Sequence, residues 1–143
     1  MNGAVVVDAS IVVKLLVDEP NTQQAEDLAQ SWRLNGVRVV APYFMPVEVT
    51  NALYRKATRQ LISMEEAARL AANLWELGVQ FRQSQQLHVR AIGLAAELRQ
   101  NAVYDAHYLA LAEALECELW TADQRFFQAA ADDFPRVHFI GEI

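Results

Sequence analysis

The sequence predicts an α/β fold built on one parallel sheet of about five strands, with helices flanking both faces. Three observations predict it. Residues 5–7 read Val-Val-Val with no polar alternation, the pattern of a central strand covered on both sides. Four further short β-prone segments, over 37–41, 79–81, 118–121 and 137–140, are separated from one another by stretches of helical period, and that alternation favours parallel pairing through crossover helices. Asp8 directly follows the first strand, at the carboxyl edge where sheets of this kind collect ligands.

The helices follow in order. Residues 11–17 wind as a short helix behind Asp8. Asn21 and Thr22 open the next, with Ala25, Leu28, Ala29 and Trp32 at helical spacing and Asn35-Gly36 as its stop. After the second strand, closed by Pro42, a helix over 43–61 places Met45, Val49, Ala52 and Leu53 inward and leaves Glu48, Asn51 and Arg55 as a polar stripe. Ser63 and Glu66 have the spacing of a capping box and start a helix with Ala67, Leu70, Ala71, Leu74 and Trp75 on its apolar side, ended by Gly78. Further helices are expected over 87–99, capped by Asn101, over 104–115 and over 123–130. No repeat, linker or low-complexity stretch interrupts the pattern, so residues 1–143 are expected to form a single domain.

Composition narrows the function. Hydrophobic residues are 53% of the chain and the formal charge is −6, which disfavours wrapping a long polyanion by electrostatics alone. A nucleic-acid substrate would require metal bridges or a local basic patch. Cys117 is the only cysteine, so no disulfide can form within the chain. The apolar run near the start is broken by Asp8 and Lys14 and falls short of the ~20 residues a bilayer span needs. No basic n-region of a signal peptide precedes it. A cytoplasmic protein with no membrane contact is the expectation.

Four acids then stand out. Asp8 ends the first strand, Asp123 follows the fourth, Asp105 lies in the first turn of a helix, and Glu48 sits one turn into another. Taken singly, each Asp reads as a helix cap and Glu48 as a solvated side chain. Capping does not require that all four fall at one edge of one sheet. Two unit charges ~4 Å apart repel by about 4 kcal/mol at an effective dielectric near 20, so such a cluster must take up protons or cations. Carboxylate oxygens suit Mg²⁺ or Mn²⁺, whereas a zinc site would use His and Cys. Hard divalent ions also bridge to phosphate and activate water for in-line displacement, which reconciles an acidic protein with an acidic substrate.

The segments Val7-Asp8-Ala9-Ser10 with Lys14 and Glu19, Pro46-Val47-Glu48-Val49-Thr50-Asn51-Ala52-Leu53, Tyr104-Asp105-Ala106-His107-Tyr108-Leu109-Ala110-Leu111-Ala112 and Leu119-Trp120-Thr121-Ala122-Asp123-Gln124-Arg125-Phe126 resemble the PIN-domain ribonucleases. Within that family the resemblance is greatest to the VapC toxins of toxin–antitoxin pairs. It implies a Mg²⁺- or Mn²⁺-dependent endoribonuclease with Asp8, Glu48, Asp105 and Asp123 at its site, Ser10 and Thr121 orienting them, and metal held by the acids directly or through water. It further implies an RNA substrate such as tRNA or ribosomal RNA, a homodimer, and a VapB-like antitoxin that fills the groove beside the acids. Residues 60–99 match only in helical pattern.

For the remaining residues, Asn51 is placed beside the site by its position on the Glu48 stripe. Lys14, Arg55 and Arg59 are candidates to line an RNA path, Arg59 being more simply a solvated residue. His107, two residues from Asp105, falls on a different helix face and is read as structural. Trp32, Trp75 and Trp120 are read as core. The faces around residues 45–61 and 64–77 either pack on each other or form a groove for a partner helix. A receiver-like or dehalogenase-like phosphotransfer site fits poorly, since residue 10 is Ser and Lys14 and Lys56 are the only lysines. One alternative is a silent RNA- or protein-binding module on the same fold, which intact acids argue against and a cleavage assay distinguishes; the other is a housekeeping nuclease, which the neighbouring reading frame distinguishes.

Overall fold

The computed structural model describes residues 3–142. Its centre is a five-stranded sheet: β1 (Ala4–Val7), β2 (Arg38–Pro42), β3 (Gln80–Arg82), β4 (Glu118–Thr121) and β5 (Val137–Phe139). The strands lie in the order β3-β2-β1-β4-β5, and every pair is parallel. Successive side chains of a strand point to opposite faces, and all four residues of β1 are buried. Both faces of the central strand are therefore covered, as its unbroken valine run requires.

Seven α-helices supply the cover: α1 (Ala9–Leu16), α2 (Thr22–Leu34), α3 (Met45–Thr58), α4 (Met64–Asn73), α5 (Gln85–Glu97), α6 (Tyr104–Leu115) and α7 (Gln124–Ala130). Helix α6 is the most enclosed, with residues 106–112 all buried, and it packs on β1, β2 and β4. Among the described residues no helix is long and apolar enough to cross a membrane.

The chain lays down β1, β2 and β3 in one direction, then returns past β1 to add β4 and β5. Strands β1 and β4 are thus neighbours whose connections diverge, which opens a crevice at their carboxyl ends. The register fixes what lines it. Val7 pairs with Trp120 and the Asp8 amide donates to the Trp120 carbonyl at 3.2 Å, so the residues that follow the two strands emerge side by side.

Several local expectations needed correction. Helix α3 is shorter than the expected 43–61, and Gln60 beyond it adopts left-handed backbone at φ 62. Helix α5 begins two residues earlier than expected because Ser84 caps it, its side chain accepting from the Leu87 amide at 3.3 Å. It ends at Leu98 and a left-handed Arg99 rather than at Asn101. Trp75 is not core but 65% exposed. Helix α4 gives way to a 3-10 turn over Leu74–Glu76, and the tighter winding keeps Leu74 buried while Trp75 swings out to meet Phe81 edge-on. Trp32 is buried and meets the half-buried Trp120 edge-on, as the core reading requires.

Candidate active site

All four acids line one cleft of about 490 Å³, together with Ser10, Asn51, Arg55 and Tyr108. Each enters at the start of a different helix. Asp8 is the N-cap of α1 and Asp123 the N-cap of α7, while Glu48 and Asp105 lie in the first turns of α3 and α6. The capping reading and the clustering reading hold together, because a helix N-terminus both accepts an acidic cap and offsets part of its charge.

Asp8 is the most constrained. One carboxylate oxygen accepts from the Ser10 hydroxyl and from the Ile11 amide at 3.3 Å. The other accepts from the Thr121 hydroxyl. Both hydroxyls are themselves held from β4, Ser10 accepting from the Ala122 amide and Thr121 from the Asp123 amide, each at 2.9 Å. Ser10 and Thr121 therefore connect the two strand ends through the Asp8 carboxylate. Burial pushes the Asp8 carboxyl up from 3.8 to about 7, against the lowering effect of those hydrogen bonds, with the Asp105 charge adding to the rise.

Glu48 accepts from the Tyr108 hydroxyl at 2.6 Å. Burial raises its pKa, the Tyr108 bond opposes the rise, and the Asp105 charge reinforces it. Tyr108 is buried, and its own pKa is raised by burial and by the neighbouring acids, so it is held as a hydrogen-bond donor. Asp105 also has a raised pKa, from burial and from the charge of Asp123. Asp123 is tied by its cap bonds to the Arg125 and Phe126 amides at 3.0 and 3.2 Å. Among the described residues, Asp105 alone of the four has a carboxylate without a hydrogen bond or ion pair.

Sequence reasoning missed Tyr108. It lies three residues after Asp105 and so shares its helix face, which is the signal that finds it. One candidate for the RNA path, Lys14, is occupied elsewhere. Lys14 donates to Glu19 at 3.2 Å and to the Pro20 carbonyl at 2.8 Å, and Lys56 donates to the same Glu19 at 2.6 Å. Burial alone would raise the Glu19 pKa, but these two lysines hold it below the usual value. His107 is structural as expected: its Nδ1 lies 2.8 Å from the Val103 carbonyl and its Nε2 2.9 Å from His88 Nδ1.

The donor set suits a hard cation. Among the described residues four carboxylates line the cleft and no His or Cys does, the chemistry of Mg²⁺ or Mn²⁺ and not of zinc. The proton affinities of Asp8, Glu48 and Asp105 are all raised, so the cleft favours taking up positive charge. As the side chains stand, no group of three or more His, Cys, Asp or Glu among the described residues is arranged to hold a metal ion.

A family model described as the PIN domain matches residues 5–132. The chain belongs to the PIN-domain family. Curated relatives of this PIN domain include ribonuclease VapC3 of Pyrobaculum aerophilum, 33% identical over 132 residues that cover 91% of this chain and 94% of the relative. Ribonuclease VapC12 of Mycobacterium tuberculosis is 34% identical over 125 residues, covering 87% and 91%. Two solved structures share the fold. One is PAE2754 from Pyrobaculum aerophilum, with TM-score 0.68, 18% identity and coverage of 97% and 93%. The other is Mycobacterium tuberculosis VapC20, described as a sarcin–ricin loop cleaving toxin, with TM-score 0.65, 17% identity and coverage of 88% and 95%.

Proposed function

We propose that this PIN domain is a divalent-metal-dependent endoribonuclease and the toxin half of a VapBC-type toxin–antitoxin pair. The observation that carries the reading is the convergence of Asp8, Glu48, Asp105 and Asp123, from four separate segments, on one cleft. The VapC names of the relatives supply the substrate class, RNA, and the expectation of an antitoxin partner. Structured RNA such as tRNA or ribosomal RNA is the proposed target.

In this reading Asp8, Asp105 and Asp123 would hold Mg²⁺ or Mn²⁺ directly, and Glu48 directly or through water. A bound divalent ion supplies Lewis acidity toward a phosphate oxygen and makes water a stronger nucleophile at neutral pH. The chain's own groups do the positioning. Ser10 and Thr121 fix the Asp8 carboxylate between β1 and β4, and Tyr108 fixes one oxygen of Glu48. Asn51 adds a neutral amide to the same wall. No side chain is required as a nucleophile, and the products expected are a 5′-phosphate and a 3′-hydroxyl.

The same reading includes a homodimer and an antitoxin that covers the cleft. What supports a protein partner is the apolar surface beside the site: Tyr43, Val47, Tyr54 and Tyr104 are all more than half exposed. Meanwhile the inner faces of α3 and α4 pack on each other, with Leu53, Ala57, Ala67 and Leu70 buried.

The test incubates purified protein with pooled cellular RNA in Mg²⁺ or Mn²⁺, beside an EDTA control and Asp8→Asn. Cleavage that EDTA and the substitution both abolish supports the proposal. Cleavage that survives both refutes it, and no cleavage under any condition favours a silent binding module.

A further inference from the structure

Among the described residues the acidic cleft has one cation in its wall. Arg55 lines it together with the four acids, yet takes part in none of the ion pairs among the described residues. Its side chain makes no hydrogen bond there either. An arginine on the wall of an acidic cleft ordinarily pairs with a carboxylate, because charge-assisted, bidentate contacts are the strongest available to it. Here the guanidinium lies beyond 4 Å of every carboxylate oxygen among the described residues and keeps its five N–H donors unassigned there. The other cations of α1 and α3 are not equivalent. Lys14 and Lys56 are both consumed by Glu19, and Arg59, also unpaired, is the C-cap of α3 and lies outside the cleft wall.

We infer that Arg55 is a substrate-positioning residue that binds a phosphate of the RNA strand a few nucleotides at most from the one held at the acids. The inference rests on the ribonuclease reading above. Arg55 lies seven residues after Glu48 on the same stripe of α3, which at about 1.5 Å per residue sets them about 10 Å apart along the axis. Successive phosphates of a stacked strand are about 3.4 Å apart along its axis, and further apart when the strand is extended. The guanidinium therefore meets a phosphate about one to three nucleotides from the acids. Arg55 supplies, at one end of the cleft, the local positive charge that a net-negative protein needs to orient a polyanion. The acids alone cannot, since they repel every phosphate not bridged by a cation. The planar fork donates to two phosphate oxygens at once, so Arg55 contributes direction as well as attraction.

The experiment measures binding of a fluorescein-labelled single-stranded RNA decamer by anisotropy over a series of KCl concentrations. It is done in the Asp105→Asn background, which suppresses cleavage so that Mg²⁺ can stay in the buffer. Arg55→Ala is expected to weaken binding about tenfold, as loss of one charged hydrogen-bond pair does, and to flatten the log–log salt dependence by about 0.7, the contribution of one phosphate on a single strand. Arg55→Lys restores the slope and part of the affinity. Arg59→Ala, which removes the same charge from outside the cleft, has less than half the effect of Arg55→Ala. Equal effects of Arg55→Ala and Arg59→Ala overturn the inference, as does an unchanged salt slope or an absence of RNA binding. RNA binding with the expected Arg55 dependence, in a wild-type chain that never cleaves RNA, upholds Arg55 as a phosphate contact and refutes the nuclease reading instead.

Discussion

Replacing Asp105 by Asn should make the metal-free protein more stable. Most polar substitutions at a half-buried site cost stability because a partner is lost, but the Asp105 carboxylate accepts no hydrogen bond and joins no ion pair among the described residues. What the substitution removes is unfavourable. Burial raises the Asp105 pKa, and so does the charge of Asp123; Asp105 in turn raises the pKa of Asp8 and of Glu48. Two like charges ~8 Å apart repel by about 2 kcal/mol at an effective dielectric near 20. Asp105 is only half-buried and acts on three neighbours, so solvent and salt screening leave a net relief of about 1–2 kcal/mol. For a chain of this length the unfolding entropy is about 0.3 kcal/mol per degree. The relief therefore corresponds to a rise of about 3–7 °C in melting temperature in EDTA at pH 8, read by circular dichroism or calorimetry. Millimolar Mn²⁺ should then stabilise the wild type more than the variant, because the ion takes over the same neutralising role. A melting temperature that falls by several degrees in EDTA would mean Asp105 has a favourable partner, and the electrostatic account of the cleft would be wrong.

Three further outcomes follow from the same geometry. Metal-free stability should increase as the pH is lowered from 8 toward 5: the Asp8 pKa is about 7 in the folded chain and 3.8 ordinarily, so between those values the folded state holds a proton that the unfolded state releases. The upper limit from Asp8 over this window is about 3 kcal/mol at ~1.4 kcal/mol per pH unit, Glu48 and Asp105 act in the same direction, and urea midpoints that rise steadily from pH 5 to 8 would contradict it. Thr121→Val should cost about 2–3 kcal/mol in chemical denaturation despite its similar shape, since it strips one Asp8 oxygen and the Asp123 amide of a buried partner; a neutral effect would mean those hydroxyl bonds do not form. Tyr108→Phe should cost about 1–2 kcal/mol through the lost bond to Glu48, with the Glu48 pKa moving further up, and carboxyl titration followed by NMR checks the direction.

The layout was legible because local and global signals agreed. The valine run of β1, the alternation of short strands with helical periods, and the stops at Gly36 and Gly78, both at positive φ, each specify backbone with little help from tertiary context. Helix α6 and strand β4 fall where the sequence places them, over 104–115 and 118–121. The approach of the acids was legible for the same reason: each stands at or just after a junction on the carboxyl edge of a parallel sheet. Patterning could not resolve choices that depend on winding and partner geometry. The 3-10 turn after α4 shifts the period by less than a residue, enough to exchange Leu74 and Trp75 between core and solvent. The pairing of Lys14 with Glu19, and of Tyr108 with Glu48, depends on side-chain reach across separate elements. Arg55 was visible as part of a stripe, but its lack of an ion pair is a fact of three dimensions.

In the proposed function, the carboxylates of one cleft recruit a hard cation to hydrolyse RNA without a protein nucleophile. The most direct test is end-group chemistry on the fragments that the wild-type protein releases from RNA in Mn²⁺. The account predicts 5′-phosphate and 3′-hydroxyl termini that disappear together with Asp8→Asn or EDTA. Fragments bearing 2′,3′-cyclic phosphates and 5′-hydroxyls, formed equally well in EDTA, would contradict it.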